Sequence, residues 1–144
     1  MTEKLHLVCS ECRTVNRVES ARFSEGPRCG RCKAALLDGQ VRELTSADFT
    51  KFISKNELSV VVNFWASWCG HCRNFEPVFA AAAQQLKSQA RLFRVETEEE
   101  PELARRFSIM SMPTHIIFKD GKELSRQSGA MQLPLFMAWL KSYF

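Results

Sequence analysis

At 144 residues, 45% hydrophobic and 25% charged, the chain has an ordinary soluble globular composition, enough for one full domain and one minidomain. A formal net charge of +4 alongside 16 acidic residues does not point to nucleic acid as a partner. No run approaches the ~18 apolar residues of a membrane-spanning helix, which excludes a membrane partner of that kind.

The chain opens with Met1–Val8, charged at Glu3 and Lys4 and without an apolar stretch long enough for a secretory signal. The expected compartment is therefore the cytoplasm. Thiols stay reduced there, so closely spaced cysteines read as metal ligands or catalytic groups before they read as staples. All six cysteines fall in three Cys-x2-Cys pairs. Residues 5–37 are rich in Arg, Gly and Cys and short of large apolar side chains, too little to build a core unaided.

Cys9-x2-Cys12 and Cys29-x2-Cys32, sixteen residues apart, fit a four-cysteine zinc pattern. Two residues between cysteines let a tight turn aim both sulfurs at one ion, and two such turns complete a tetrahedron of thiolates. Four cysteine ligands leave no open coordination position, so the expected cofactor is one structural zinc, supplying roughly 10 kcal/mol or more of folding free energy. Two disulfides or a rubredoxin-type iron site are the alternatives. Arg13, Arg17, Arg22, Arg28, Arg31 and Lys33 crowd this segment, but Phe23 is the only aromatic present to stack on a base. The basic residues therefore read as a solvated face and not as a nucleic-acid site.

Asp38-Gly39 is a turn signal, and the expected division is a zinc-ribbon module at 1–38 and a second domain at 39–144. Thr45-Ser46-Ala47-Asp48 reads as a helix start with a capping box. Leu58–Trp65 is a short, β-branched, nearly continuous apolar run, the pattern of a strand buried on both faces and central in its sheet. Cys69–Leu86 carries Phe75, Phe79, Ala83 and Leu86 at helical spacing with Pro77 inside, predicting one long helix kinked there. A strand at Arg91–Glu96 and a short helix from Pro101 to Phe107 follow, completing a β-α-β unit. The acidic run from Glu96 to Glu102 reads as a solvated helix entrance. His115–Lys119, the Asp120-Gly121 turn and Lys122–Gln127 predict a hairpin, with Gly129 at a strand end or bulge. Leu133–Phe144 predicts a final helix with Pro134 in its first turn. The fold class is α/β, a mixed sheet with helices on both faces.

The third pair differs from the others. Cys69-Gly70-His71-Cys72 follows a buried strand and opens a helix, the context of a dithiol redox motif. Unpaired N–H groups and the macrodipole at a helix start stabilise an anion, which makes Cys69 the nucleophilic thiolate. Cys72, one turn further in, is the shielded resolving thiol.

Val61 through Cys72, Pro77, Ser111-Met112-Pro113-Thr114 and the Asp120-Gly121 to Gly129 hairpin together resemble a thioredoxin over about 41–144. With the four-cysteine module in front, the whole chain resembles the bacterial thioredoxin-2 type. The resemblance implies a thioredoxin fold and an enzyme that reduces or exchanges protein disulfides through a reversible Cys69/Cys72 couple. It implies protein disulfides as substrates, an electron donor such as thioredoxin reductase, and a monomer. It implies further that Pro113 is a cis proline beside the cysteines that shapes the substrate groove, that Trp68 lines the substrate face, and that Trp65 packs beneath.

Two positions depart from that pattern. His71 stands where thioredoxins usually carry proline, giving the Cys-Gly-His-Cys of protein disulfide isomerases. An imidazole there stabilises the thiolate and with it the reduced form, so the couple should be more oxidising than an ordinary thioredoxin. This keeps an isomerase or oxidase activity open, beside a zinc-dependent redox-sensing module. Asn63 stands where the family places a buried aspartate beneath the second cysteine, and an amide cannot titrate. It reads as a hydrogen-bonded core amide. Arg94 aligns with a lysine usually near that aspartate, so both members of the pair have changed.

Overall fold

The computed structural model describes residues 3–144. Its elements in chain order are β1 (Lys4–Val8), β2 (Val15–Glu19), a 3-10 turn (Ser20–Glu25), β3 (Arg42–Glu43), α1 (Ser46–Lys55), β4 (Ser59–Trp65), α2 (Gly70–Gln85), β5 (Ala90–Glu96), α3 (Pro101–Arg106), β6 (Thr114–Lys119), β7 (Lys122–Ser128) and α4 (Leu133–Lys141). The five later strands form one sheet in the order β3-β5-β4-β6-β7, and β1 pairs with β2 in a separate antiparallel hairpin.

β4 occupies the centre because its Ser-Val-Val-Val-Asn-Phe run can be buried on both faces. It runs parallel to β5 across the α2 connection and antiparallel to β6. Its even-numbered side chains, Val60, Val62 and Phe64, pack with Phe49 and Phe52 of α1 and Leu103 of α3. Val61 points the other way, into Phe75 and Phe79 of α2 and Phe136 and Leu140 of α4. The alternation that sends neighbours to opposite faces also places Asn63, in register with Arg94 of β5 and His115 of β6, on the α2 side.

The hairpin turns at Asp120 and Gly121, with φ of 52° and 81°, the paired left-handed residues of a two-residue hairpin loop. Gly129 closes β7, and the register shift lies at Ile117/Phe118 instead. α4 stops at Lys141, short of the Phe144 end expected from its apolar face.

α1 starts at the expected place, but its capping box does not form. The Thr45 side chain makes no cap bond, and the Asp48 carboxylate is taken by Arg13, whose Nε and Nη2 donate to Oδ2 at 2.9 and 2.7 Å. A contact between the two modules outcompetes a local one.

The N-terminal module does have a core, though not one it builds unaided. Leu7, Phe23, Leu36 and Leu37 cluster with Cys9, Cys29 and Leu58, the last belonging to the larger domain. Val8 joins the main core beside Phe49 and Phe52. Burying aliphatic side chains of this size contributes about 1.5–3 kcal/mol each, so the module completes its core against its neighbour. Polar groups seal the junction. Arg91 of β5, 7% exposed, donates through Nη1 to the Val8 carbonyl and Asn56 Oδ1 at 3.0 Å each, and through Nη2 to Ser10 Oγ at 2.6 Å. The Glu57 carboxylate accepts from the His6 backbone N–H at 2.7 Å.

Candidate active site and metal centre

Two matching knuckles bring the four N-terminal cysteines together. The Cys9 N–H donates to Thr14 O at 2.9 Å and Arg13 N–H returns to Cys9 O at 3.0 Å; Cys29 repeats this with Ala34 at 2.8 Å and Lys33 at 3.0 Å. Arg13 and Lys33 both adopt a left-handed φ, 65° and 68°, which turns each chain back on itself. The N–H groups of Glu11 and Arg31 point at Cys9 Sγ and Cys29 Sγ, both at 3.4 Å. Asn16 ties the knuckles together, accepting from Gly30 N–H at 2.9 Å and donating to Thr14 O at 3.2 Å.

The four sulfurs of Cys9, Cys12, Cys29 and Cys32 lie within 4.8 Å of one another, with 3.5 Å between Cys9 and Cys32 and 3.6 Å between Cys12 and Cys29. A tetrahedral ion with metal–sulfur bonds of about 2.3 Å needs sulfurs about 3.8 Å apart. The donor set therefore fits a single metal ion, and it is closed. The backbone N–H of Cys32, with the Asn16 amide, pulls the Cys29 thiol down to about 6, while, against the Ala34 N–H, burial and the three neighbouring sulfurs push Cys32 up to about 12. The cluster by itself therefore favours one thiolate, and a metal must displace the remaining protons.

The third pair sits at the opposite kind of place. Cys69 is the N-cap of α2: its sulfur accepts the Cys72 N–H at 3.1 Å, and the two cysteines are joined in a disulfide with Cα atoms 5.2 Å apart. By residue exposure the cysteines hardly differ, 5% and 3%; what separates them is position, since only Cys69 faces the helix-start donors and the Met112 carbonyl, 3.7 Å from its sulfur. Met112–Pro113 is a cis peptide. Gly70 and His71 are exposed in the first turn, and a Cβ on Gly70 would meet only the tip of Arg73, at 4.0 Å.

Around this disulfide the tryptophans take different roles. Trp68 is 63% exposed, its indole N–H held by Glu98 Oε1 at 2.5 Å. Trp65 is half-buried, its N–H on Glu43 Oε1 at 3.0 Å and its ring covered by the Arg94 guanidinium at 3.8 Å. Arg94 in turn reaches Glu43 at 3.5 Å and Glu76 at 3.8 Å. The acidic run is not wholly solvated: Glu96 is buried, with Oε2 accepting the Glu99 N–H at 2.7 Å and Oε1 without a partner among the described residues. A groove of about 330 Å³ lies between the Gly39–Glu43 segment and α2, lined by Phe79 and Arg94 among others. The disulfide lies outside it, itself buried but bordered by the exposed Trp68, Gly70 and His71.

Sequence reasoning missed His115. It is fully buried, its Nδ1 3.1 Å from Asn63 Nδ2 and its Nε2 3.1 Å from the Gly129 carbonyl. A histidine two residues beyond a proline, directly ahead of the apolar Ile116-Ile117-Phe118 run, was the available signal. Asn63 is the hydrogen-bonded core amide its sequence suggested. Burial pushes His115 down to about 4, against about 6.5 in an unfolded chain. Above pH ~6.5 neither state binds the proton. Between ~6.5 and ~4 only the unfolded state does, so stability falls as pH falls and the loss is complete below ~4. We expect roughly 2–3 kcal/mol of stability to disappear between pH 7.5 and 4.5 through this residue. Urea unfolding at both pH values should show that much less acid loss in His115→Gln; equal losses would refute the assignment.

The sequence profile of the thioredoxin family matches residues 40–142, and that described as "Thioredoxin 2, N-terminal" matches residues 8–34. The chain is 35% identical over 134 residues to thioredoxin C-3 of Corynebacterium nephridii, covering 93% of this chain and 92% of that one. It is 40% identical over 88 residues to thioredoxin 1 of Synechococcus elongatus, covering 61% and 82%. Among solved structures, a Malassezia sympodialis thioredoxin superposes with a TM-score of 0.66 at 25% identity, over 72% of this chain and 90% of its own.

Proposed function

This chain belongs to the thioredoxin family, and from that premise we propose that it is a thiol–disulfide oxidoreductase acting on protein disulfides through Cys69 and Cys72. The observation that carries the reading is the Cys69–Cys72 disulfide at the start of α2, with Cys69 as its cap. In the reducing direction the Cys69 thiolate attacks a substrate disulfide. The substrate S–S bond breaks, a mixed disulfide forms, and one substrate thiolate departs. Cys72 then loses its proton and attacks Cys69 Sγ, restoring the disulfide and releasing the second substrate thiol, so that two electrons pass to the substrate. A reductase such as thioredoxin reductase returns the dithiol. Pro113 and Trp68 shape the substrate face, and Gly70 leaves it open.

Cys9, Cys12, Cys29 and Cys32 would hold a single structural zinc that ties the two knuckles of the 1–38 module together without entering the reaction. The protein works in the cytoplasm as a monomer. Catalytic amounts of the full chain should reduce many equivalents of a protein disulfide when supplied with a reductant. Oxidation by one equivalent without turnover would favour a redox-sensing module instead.

His71 favours a second reading, a couple shifted toward isomerase or oxidase work. It stands exposed in the first turn of α2, where proline offers no donor. If it stabilises the thiolate by roughly 1–2 kcal/mol, the potential rises by roughly 20–45 mV. His71→Pro should lower the potential by that amount in glutathione buffers. A wild-type value at or below about −270 mV, that of thioredoxin, would overturn the idea. At Asn63 we expect the opposite kind of change: Asn63→Asp introduces a titrating group beside His115, and the pH profile of disulfide exchange should gain an inflection. An unchanged profile would remove this position from the chemistry.

A further inference from the structure

His115 is a polar side chain in a layer that needs none. Its ring stacks on Phe75 at 4.3 Å between centroids and meets Phe136 edge-on at 5.2 Å, surroundings in which an aliphatic side chain would pack without needing a partner. An imidazole there costs free energy unless both ring nitrogens are satisfied, and both are. The Gly129 carbonyl can only accept, so Nε2 carries the hydrogen and donates to it; Nδ1 is then bare and accepts from Asn63 Nδ2. One neutral tautomer satisfies both neighbours.

The bonds continue toward the disulfide. Gly129, at a φ of 98°, donates its own N–H to the Pro113 carbonyl at 2.8 Å. Asn63, His115, Gly129 and Pro113 thus form a file of donors and acceptors pointing one way, in which the two bonds of the imidazole strengthen each other through the conjugated ring and Gly129 carries the constraint on to Pro113 through its backbone. It ends on the cis Met112–Pro113 segment, whose Met112 carbonyl lies 3.7 Å from Cys69 Sγ.

We propose that His115 is a positioning residue for the polypeptide substrate: by fixing Gly129 it fixes the Met112–Pro113 wall beside which Cys69 attacks. This rests on the oxidoreductase reading above. A substrate that lies along the wall depends on it; a small disulfide that meets only the sulfur does not.

The test compares the full-length wild type with His115→Leu and His115→Gln, using a protein disulfide and hydroxyethyl disulfide as substrates. His115→Leu should raise KM for the protein disulfide about fivefold and change kcat less than about twofold, with the small disulfide also within about twofold. His115→Gln keeps a donor and an acceptor and should recover most of the loss. An unchanged protein KM in His115→Leu, an equal loss on both substrates, or a glutamine variant as poor as leucine would overturn the proposal. Should His115→Leu not fold, nitrogen-15 shifts of the wild-type imidazole decide: the neutral Nε2–H tautomer at pH 6–8 is required, and an Nδ1–H tautomer or an imidazolium at pH 6 refutes it. Wild type inactive on both substrates would instead sink the oxidoreductase reading.

Discussion

Serine in place of Cys69 should lower protein-disulfide turnover by about three orders of magnitude or more, because a hydroxyl does not ionise near neutral pH and forms no disulfide. Serine in place of Cys72 should stop the reaction one step later. The attack by Cys69 needs only the helix-start donors that face it, including the Cys72 N–H at 3.1 Å, and a backbone N–H survives the substitution. The mixed disulfide then has no thiol to resolve it and accumulates. Mass spectrometry under non-reducing conditions should find the Cys72→Ser protein carrying one substrate chain at Cys69, and no such adduct on Cys69→Ser. The reverse pattern would exchange the two roles. The experiment is needed because exposures of 5% and 3% do not distinguish the cysteines, whereas their places on the helix do.

Arg91→Ala is expected to destabilise the folded protein by about 2–5 kcal/mol, the combined scale of leaving two buried neutral acceptors unsatisfied at about 1–3 kcal/mol each and of emptying a packed junction. The guanidinium is out of water, which lowers its pKa to about 10, still protonated at neutral pH. It lies over the rings of Phe52 and Phe93 at 5.9 and 5.5 Å while serving Val8, Ser10 and Asn56. Alanine leaves two of those acceptors buried without it and opens a cavity where the two modules meet. Because Val8 and Ser10 flank the ligand Cys9, the loss should reach the metal as well: chelator should extract the ion from Arg91→Ala at lower concentration than from wild type. Arg91→Lys, a point charge without the planar fork, should recover only part of the stability. Denaturant unfolding with metal stoichiometry on the same samples measures both effects. A cost under about 1 kcal/mol would show that the apolar contacts of Leu7, Val8 and Leu58 hold the junction without help.

The two departures from the usual thioredoxin site now have different standing. Asn63 is tied to His115 and belongs to a bonded file that runs to Pro113, so a substitution there would alter geometry as well as acidity. Arg94, in register with Asn63 on the adjacent strand, places its guanidinium on Trp65, Glu43 and Glu76. His71 remains an exposed side chain whose influence is read only in a potential.

Elements governed by short-range patterns were legible in the sequence. The all-apolar run at β4, the helical spacing of Phe75 and Phe79, the Asp120-Gly121 turn and Pro101 at a helix start each encode a local preference, and each lies within a residue or two of its expected place. Cysteine spacing likewise marked the four thiols that gather into one cluster, because two intervening residues leave a knuckle little choice of direction. β1, β2 and the two-residue β3 were not marked: they are short, and pairing with a partner, not intrinsic pattern, makes them strands.

What the sequence determined by itself, then, is which segments become helix or strand, which thiols can share one ion and which pair opens a helix, since these follow from side-chain periodicity and turn geometry within a few residues. Tertiary structure alone decided that Asp48 answers Arg13 and not its own helix, that Arg91 joins the small module to the large, and that His115 meets Asn63 and Gly129. Those contacts span 35, 83, 52 and 14 positions of chain. No local preference encodes a partner at such a distance; it is chosen when burial strips water from a polar group and leaves it one place to bond.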